Sequence, residues 1–361
     1  MILLNPGPVT LTQRVKRALA GEDLCHREAE FADLTLNVLR GIEGVYDTAG
    51  DYGAVMLSGS GTAAVEAMLS TFASRTRPTL VVCNGVYGER MAAMLARQGK
   101  PHVALKHEWL SAIDLSRVEQ ALGAEPGIAN VAVVHNETTT GRLNDLAPLA
   151  ALCGKRGLGL LVDAVSSFGG ELLDFSKLKP LAVAATANKC LHGAPGISFV
   201  LARKTALDAG ESQATTLYLD LLEYYREQRK GWSPYTQAVH VTLALREALR
   251  ELADAGGVTA RQKLYLDRST TVRRTLAGLG IETLVPVADC SSMLTGFKLP
   301  EGESYDRLHD SLKAQGYVIY AGQGAFNGRI FRIATMGEIP APELDRLCNA
   351  FREHFAKAEA R

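Results

Sequence analysis

The sequence has little of what marks the non-enzymatic classes. No apolar run reaches the roughly 20 residues a helix needs to cross a bilayer, so no membrane partner is expected. Neither sign of charge is in excess: 39 Lys and Arg face 39 Asp and Glu. That balance gives no bulk field for attracting nucleic acid or an anionic membrane. Cysteine is sparse and scattered, at Cys25, Cys83, Cys153, Cys190, Cys290 and Cys348, with no CxxC pair. Neither structural zinc nor a disulfide framework is expected, and Cys83, Cys153 and Cys348 lie in apolar segments as small core residues. Internal repeats and low-complexity tracts are missing. The opening Met1-Ile2-Leu3-Leu4 runs straight into Asn5-Pro6-Gly7-Pro8 with no basic segment ahead of it. No secretory signal is expected, and a reduced, cytoplasmic setting is.

What is present is an ordinary globular composition on a long chain. At 361 residues the chain exceeds one simple core and suits a large domain plus a smaller one. A helix is expected from Thr10 and another after Cys25-His26-Arg27-Glu28, carrying Phe31, Leu34, Val38, Leu39 and Ile42. Strands and helices then alternate. Ala54 to Leu57 reads as a strand, and Ser58-Gly59-Ser60-Gly61-Thr62 as a turn opening a helix. Thr79 to Cys83 is a strand, and Asn84-Gly85-Val86-Tyr87-Gly88 opens the next helix. Asp114 is a plausible N-cap. Ile128 to Val134 is a strand ending at His135-Asn136-Glu137-Thr138-Thr139-Thr140-Gly141, with a helix from about Asp145. Apolar strands at 158–163 and 181–187 follow. Near-continuous apolar strands between helices imply an α/β domain, its mostly parallel sheet covered on both faces.

Beyond Leu201 the pattern changes. Residues 216–280 read as largely helical, ending in a connector helix over 258–278. Short strands are expected at 281–285, 292–299, 317–320 and 330–334, with helices at 303–314 and 341–356, an α+β arrangement. The expected division is an N-terminal segment 1–20 associated with the small domain, a large domain 21–257, and a connector with the small domain over 258–361.

Two charged residues at strand ends carry the chemistry. Asp163 closes the run Leu158-Gly159-Leu160-Leu161-Val162, and Lys189 follows the apolar run Leu181 to Ala187. A pyridoxal phosphate (PLP) site needs such a pair: a lysine amine to form a Schiff base with the aldehyde, and an acid to keep the pyridine nitrogen protonated. Ser60, Gly61 and Thr62 sit where a helix N-terminus would accept the phosphate. The segment has no GxxxxGK[ST] and does not fit a dinucleotide fingerprint, so by itself it also reads as a tight turn. Tyr87 has room between glycines to stack on a flat ring, or is simply the aromatic at a helix start. Thr138, Thr139 and Thr140 fall on the edge where α/β sheets bind ligands, or bond their own backbone. His135 and Glu137 alone do not make a metal site, and no metal is expected. His192 reads as a satisfied loop histidine. Arg332, inside Ile330-Phe331-Arg332-Ile333-Ala334, must be paired or face a site. Its planar fork suits a carboxylate or a phosphonate.

Seven motif regions in order along nearly the whole chain then carry a resemblance: LNPGP, SGSGTAAVEA, NGVYGER, HNETTTG, VDAVSSFGG, ANKCLHGAPGISFV, and YVIYAG with IFRIATMGEI. The chain resembles the class V aminotransferases, which have the fold-type I PLP architecture. The threonines after Glu137 are more like the phosphonate-using branch than the alanine–glyoxylate branch, where serines are expected. The resemblance implies PLP bound through Lys189, with Asp163 at the pyridine nitrogen, Tyr87 stacked on the ring and Thr138 hydrogen-bonded to the cofactor. It assigns Ser60, Gly61 and Thr62 to the phosphate and Arg332 to the substrate anion. The implied reaction moves the amino group of 2-aminoethylphosphonate to pyruvate. The alternatives are alanine or serine with glyoxylate, and, further off, a lyase or desulfurase to which Cys190 beside Lys189 lends a handle. The resemblance also implies a homodimer with the site at the interface, a hydroxyl of the neighbouring subunit reaching the phosphate. Here Trp232-Ser233-Pro234-Tyr235-Thr236-Gln237 departs from the family's T-S-P-T-H, so Ser233 and Thr236 both stand for that role. Cys25-His26-Arg27 departs too, and Arg27 is expected as a second cation near the phosphonate.

Overall fold

Seven strands form the central sheet of the computed structural model, which describes residues 1–359. They are β1 (Tyr52–Ser58), β2 (Thr79–Cys83), β3 (His102–Lys106), β4 (Asn130–Val134), β5 (Gly159–Asp163), β6 (Ala182–Thr186) and β7 (Ile197–Arg203). Their spatial order is β1-β7-β6-β5-β4-β2-β3. From β6 to β3 every pair is parallel, whereas β7 runs antiparallel to both β6 and β1.

Both faces are buried because successive side chains alternate across the strands. Leu160 and Val162 of β5 join one apolar cluster, with Phe199 and Leu201 of β7. Leu161 of β5 and Val200 of β7 join the other, with Ala64, Met68 and Leu95 from the covering helices. Fully burying a single Val or Leu side chain contributes about 1.5–3 kcal/mol, so these two layers supply most of the sheet's cohesion.

The alternation of the sequence does not anticipate β3 or β7. The first lies at the sheet edge, and HVALK is only half buried, so it lacks a continuous apolar run. The second follows β6 after a short Gly/Pro-broken loop with no helix between. A parallel return needs a long crossover, so that loop can only bring the chain back antiparallel.

The C-terminal part holds a three-stranded antiparallel sheet in which Ile330–Ala334 lies between Leu294–Lys298 and Tyr320–Ala321. It packs beside the long helix Gly257–Ala277 and the helices Tyr305–Ala314 and Ala341–Glu359. No strand forms over 281–285. Leu284 N–H bonds Gly296 O and Glu282 O accepts from Lys298, but only Thr283 with Phe297 makes a ladder-type bridge before Pro286 intervenes. Near the N-terminus, Ile2–Leu3 pairs in parallel with Tyr317–Val318. The first helix begins at Gln13 rather than Thr10, because the Thr12 hydroxyl caps it through Val15 N–H while Thr10 Oγ1 accepts from Leu3 N–H. No helix among the described residues is long and apolar enough to cross a membrane.

Candidate active site

The parallel strands end along one edge, and the loops leaving β1, β2, β4, β5 and β6 meet there. Gly61, Thr62, Tyr87, Arg90, Asp163 and Val165 line a cleft of about 260 Å³, a volume that includes space open to solvent. The cleft floor is held by close approach. A Cβ on Gly61 would lie 2.6 Å from Val165 Cγ1, so glycine is what lets the helix Gly61–Phe72 start against the loop after β5. Ser60 occupies the N-cap position of that helix yet makes no side-chain capping bond. Ser60 and Thr62 are exposed, and neither hydroxyl has a partner among the described residues.

Asp163 is buried, and one carboxylate oxygen accepts Val165 N–H at 2.9 Å. The other has no partner among the described residues. Burial raises the Asp163 pKa, opposed by that backbone bond and by the Lys189 and Arg90 charges. Lys189 Nζ donates to Ser166 Oγ at 2.7 Å and lies 5.9 Å from the centre of the Tyr87 ring. Burial lowers its pKa to about 8 against the opposing pull of Asp163. The Asn5-Pro6-Gly7-Pro8 loop covers this lysine, since a Cβ at Gly7 would sit 3.1 Å from Lys189 Cγ.

The three consecutive threonines divide their work. Thr138 is buried and its hydroxyl has no partner among the described residues. The Thr139 hydroxyl donates to Glu137 Oε1 at 2.5 Å and accepts Val86 N–H at 3.1 Å. Thr140 bonds Glu137 O. Glu137 is fully buried, and burial pushes its pKa up to about 7, partly offset by the Thr139 bonds. A Cβ on Gly85 would approach Glu137 Cδ to 2.2 Å, so only glycine lets this carboxyl reach the first turn of the helix Val86–Arg97. Glu137 and Thr139 therefore fix the turn that carries Tyr87.

Arg332 is wholly buried at the centre of the small sheet. Nε and Nη2 donate to Ala321 O, and Nη1 donates to Thr138 O at 2.6 Å and to Gln323 Oε1 at 3.4 Å. Its Cζ lies 4.9 Å from the Tyr320 ring centre. Its partners are carbonyls and an aromatic face rather than a carboxylate, so it is not half of a structural ion pair. Thr138 thus links the two halves of the site, its carbonyl on Arg332 and its hydroxyl free.

The aminotransferase class-V family model matches residues 15–331. This chain belongs to that family. It is 36% identical to the 2-aminoethylphosphonate–pyruvate transaminase of Salmonella schwarzengrund, over 97% of this chain and 96% of that protein. A protein of the same name from Aeromonas hydrophila is 38% identical, over 94% and 90% respectively. Among solved structures, an aspartate aminotransferase from Thermus thermophilus matches 99% of both chains with a TM-score of 0.90 and 27% identity. Alanine–glyoxylate aminotransferase from Nostoc matches 98% of this chain and 94% of its own, with a TM-score of 0.88 and 25% identity. The architecture is thus the expected one, the fold-type I aminotransferase fold with a large mixed sheet and a smaller α+β part.

Within one chain of this class V aminotransferase, Arg27 Nη1 donates to Ser233 O at 3.1 Å. Ser233 is buried, with its hydroxyl accepting from Gln237 Nε2 at 2.7 Å, whereas Thr236 is exposed. His192 is a satisfied loop residue: its Nε2 lies 2.6 Å from Tyr265 Oη and accepts Gly337 N–H at 2.8 Å. His135 is buried against Ser167 Oγ at 2.9 Å, and burial lowers its pKa to about 4. The sequence reading missed Arg90, whose Cζ lies 4.7 Å from the Tyr87 ring centre. Its signal was the three-residue spacing from Tyr87, which puts both on one helix face. Ser166 and Gln323 carried no comparable signal.

Proposed function

We propose that this chain holds PLP and transfers the amino group of 2-aminoethylphosphonate to pyruvate, giving phosphonoacetaldehyde and L-alanine. The observation that carries the reading is Lys189, partly buried, held on Ser166 and set beside Tyr87 and a carboxylate with one free oxygen. The choice of phosphonate rests on the two relatives that carry that enzyme's name at 36% and 38% identity.

The unpartnered groups fit the cofactor. The buried Thr138 hydroxyl, the free Asp163 oxygen, and the Ser60 and Thr62 hydroxyls at a helix start match a flat ring bearing a hydroxyl, a basic nitrogen and a phosphate. Lys189 would attach it, Asp163 would hold its ring nitrogen, Tyr87 and Val165 would flank it, and the Ser60–Thr62 turn would take its phosphate. When bound, PLP supplies an electron sink for the charge left on a deprotonated carbon.

The chain's own groups do the rest. Lys189 Nζ, with a pKa near 8, is suited both to take the proton from the amine-bearing carbon of the donor and to return one to the keto carbon of the acceptor. Ser166 Oγ holds that amine in place while it is free. Arg332 binds the phosphonate of the first substrate and then the carboxylate of the second. A guanidinium presents two parallel N–H groups to either, so one residue can serve both half-reactions. In a homodimer, the exposed Thr236 is the hydroxyl free to reach the neighbouring phosphate, and Arg27 steadies its loop through Ser233 O. Purified protein supplied with PLP, 2-aminoethylphosphonate and pyruvate should form alanine and phosphonoacetaldehyde in equal amounts. Alanine formed from serine or other amino acids, with none from the aminophosphonate, would overturn the substrate assignment.

A further inference from the structure

Arg332 has five N–H donors, and four are spent on three acceptors: Ala321 O twice, Thr138 O, and the Gln323 side chain. Two of those acceptors are backbone carbonyls that cannot move without disturbing the strand ends. Gln323 is the exception. It sits on a turn just after Tyr320–Ala321, half buried, with its amide nitrogen unpartnered among the described residues. Its hold on Nη1 is long, at 3.4 Å, the weak end of hydrogen bonding. Releasing it leaves one N–H on Nη1 and one on Nη2, a fork sized for two oxygens of an anion.

The turn carrying Gln323 is braced. Phe326 lies 5.7 Å from Trp109, ring centre to ring centre, and Trp109 Nε1 donates to Glu89 Oε1 at 3.0 Å. Glu89 is on the helix that presents Tyr87. The small-sheet turn is thereby buttressed by the same helix that forms one wall of the cleft, which keeps the Gln323 amide within reach of whatever Arg332 holds.

We propose that Gln323 determines anion specificity: it occupies the Arg332 fork when no substrate is bound, then turns its amide N–H onto the third oxygen of a phosphonate. A carboxylate has no third oxygen and gains nothing from that donor. One arginine then accepts both substrates while a neutral neighbour distinguishes them. This deepens the aminophosphonate reading and rests on it for its purpose.

Two dead-end anions test it without the reaction. Ethylphosphonate and propionate share an ethyl group and lack an amine, and the Kd of each for the PLP-loaded protein is measured by calorimetric titration. The wild type should bind ethylphosphonate more tightly. Gln323→Leu should weaken ethylphosphonate by about 10-fold or more, the size of one hydrogen bond to a charged group, and leave propionate within about threefold. Gln323→Lys, which restores a donor, should recover the preference. Equal weakening of both anions, or no change in either, would overturn the proposal. A wild type that does not consume 2-aminoethylphosphonate would sink the substrate reading instead, and the ratio of the two Kd values would still decide the role of Gln323.

Discussion

The two halves of the active site are built in opposite ways. Around Asp163 and Lys189, polar groups are left without partners: a buried threonine hydroxyl, one carboxylate oxygen, and two hydroxyls at an open helix start. Around Arg332, nearly every donor is spent on a carbonyl. An unsatisfied buried polar group costs about 1–3 kcal/mol, and of these four groups the Thr138 hydroxyl is the one fully buried without a partner among the described residues, so it is the one that gains most from a bound group. The second half loses little when empty, which suits the role proposed for Arg332 of receiving two substrates in turn. Under the proposed roles, resident cofactor and passing substrate would leave different signatures in the bonding of the side chains that receive them.

The sharpest way to separate the halves is to remove the lysine. Lys189→Ala should reduce turnover by about 10⁴-fold, the upper range for a lost proton-transfer group. Ethylphosphonate should still bind within about threefold, because no Arg332 contact is lost. Calorimetric titration of the variant checks this, and loss of anion binding along with turnover would show the halves to be one unit.

Arg332→Lys makes the converse cut. It keeps the charge but not the planar fork, and it strands Ala321 O and Thr138 O. Specificity for both substrates should fall about 10²-fold, comparable to truncating a buried charge-assisted contact, while PLP uptake followed by absorbance stays as in the wild type. A variant that also failed to take up PLP would mean that the Thr138 bridge couples the two halves more tightly than its single carbonyl contact implies.

Glu137 stands on the cofactor side, and its titration should be visible in the stability of the apoprotein. Burial raises its pKa from 4.5 to about 7. A carboxyl raised on folding contributes stability that is fully present below about pH 4.5 and is lost as pH rises through 7. At about 1.4 kcal/mol per pH unit, the interval amounts to on the order of 3 kcal/mol. Denaturant melts of wild type and Glu137→Gln should therefore diverge between those limits, the wild type losing ground as pH rises. A constant gap across the range would show that Thr139 and the helix start satisfy the charged form.

Much of this site could be read from the sequence, for a physical reason. Asp163, Lys189, the Ser60–Thr62 turn and Thr138 all sit at the C-terminal ends of apolar strands, and strand ends announce themselves in composition. Arg332 was conspicuous as a lone charge in an apolar strand. The acceptors that saturate it were not visible, because backbone carbonyls carry no residue signature, and Gln323 reaches it across a turn that composition leaves open. Ser166 as the seat of the free amine depends on how the loop after β5 folds over β6. The strand β7 was hidden because it returns without a helix. Arg27 bonds Ser233 O within one chain, and the role proposed for the 233–236 loop would need a second copy of the chain.

The smallest effect is expected where the sequence placed its most tempting neighbour. Cys190 follows Lys189 directly, yet its side chain is enclosed. It is 1% exposed, its thiol approaches Ser166 O at 3.4 Å and Met336 Sδ at 3.5 Å, and burial pushes its pKa up to about 12. A thiol held neutral and enclosed is neither nucleophile nor sulfur carrier at neutral pH. What pins the lysine loop from behind is the Cys190 carbonyl, which accepts from Arg261 Nη1 at 2.7 Å and lies within reach of Tyr265 Oη, and no change of the Cys190 side chain removes that. Cys190→Ala should leave kcat and both KM values within about twofold and lower stability by about 1–2 kcal/mol for the small void. Steady-state assays beside thermal melts check both halves of that statement. If turnover collapsed while the melt and PLP uptake stayed intact, the thiol would have to act on substrate, and the comparison between a partner-poor cofactor slot and a saturated anion nest would need a third region.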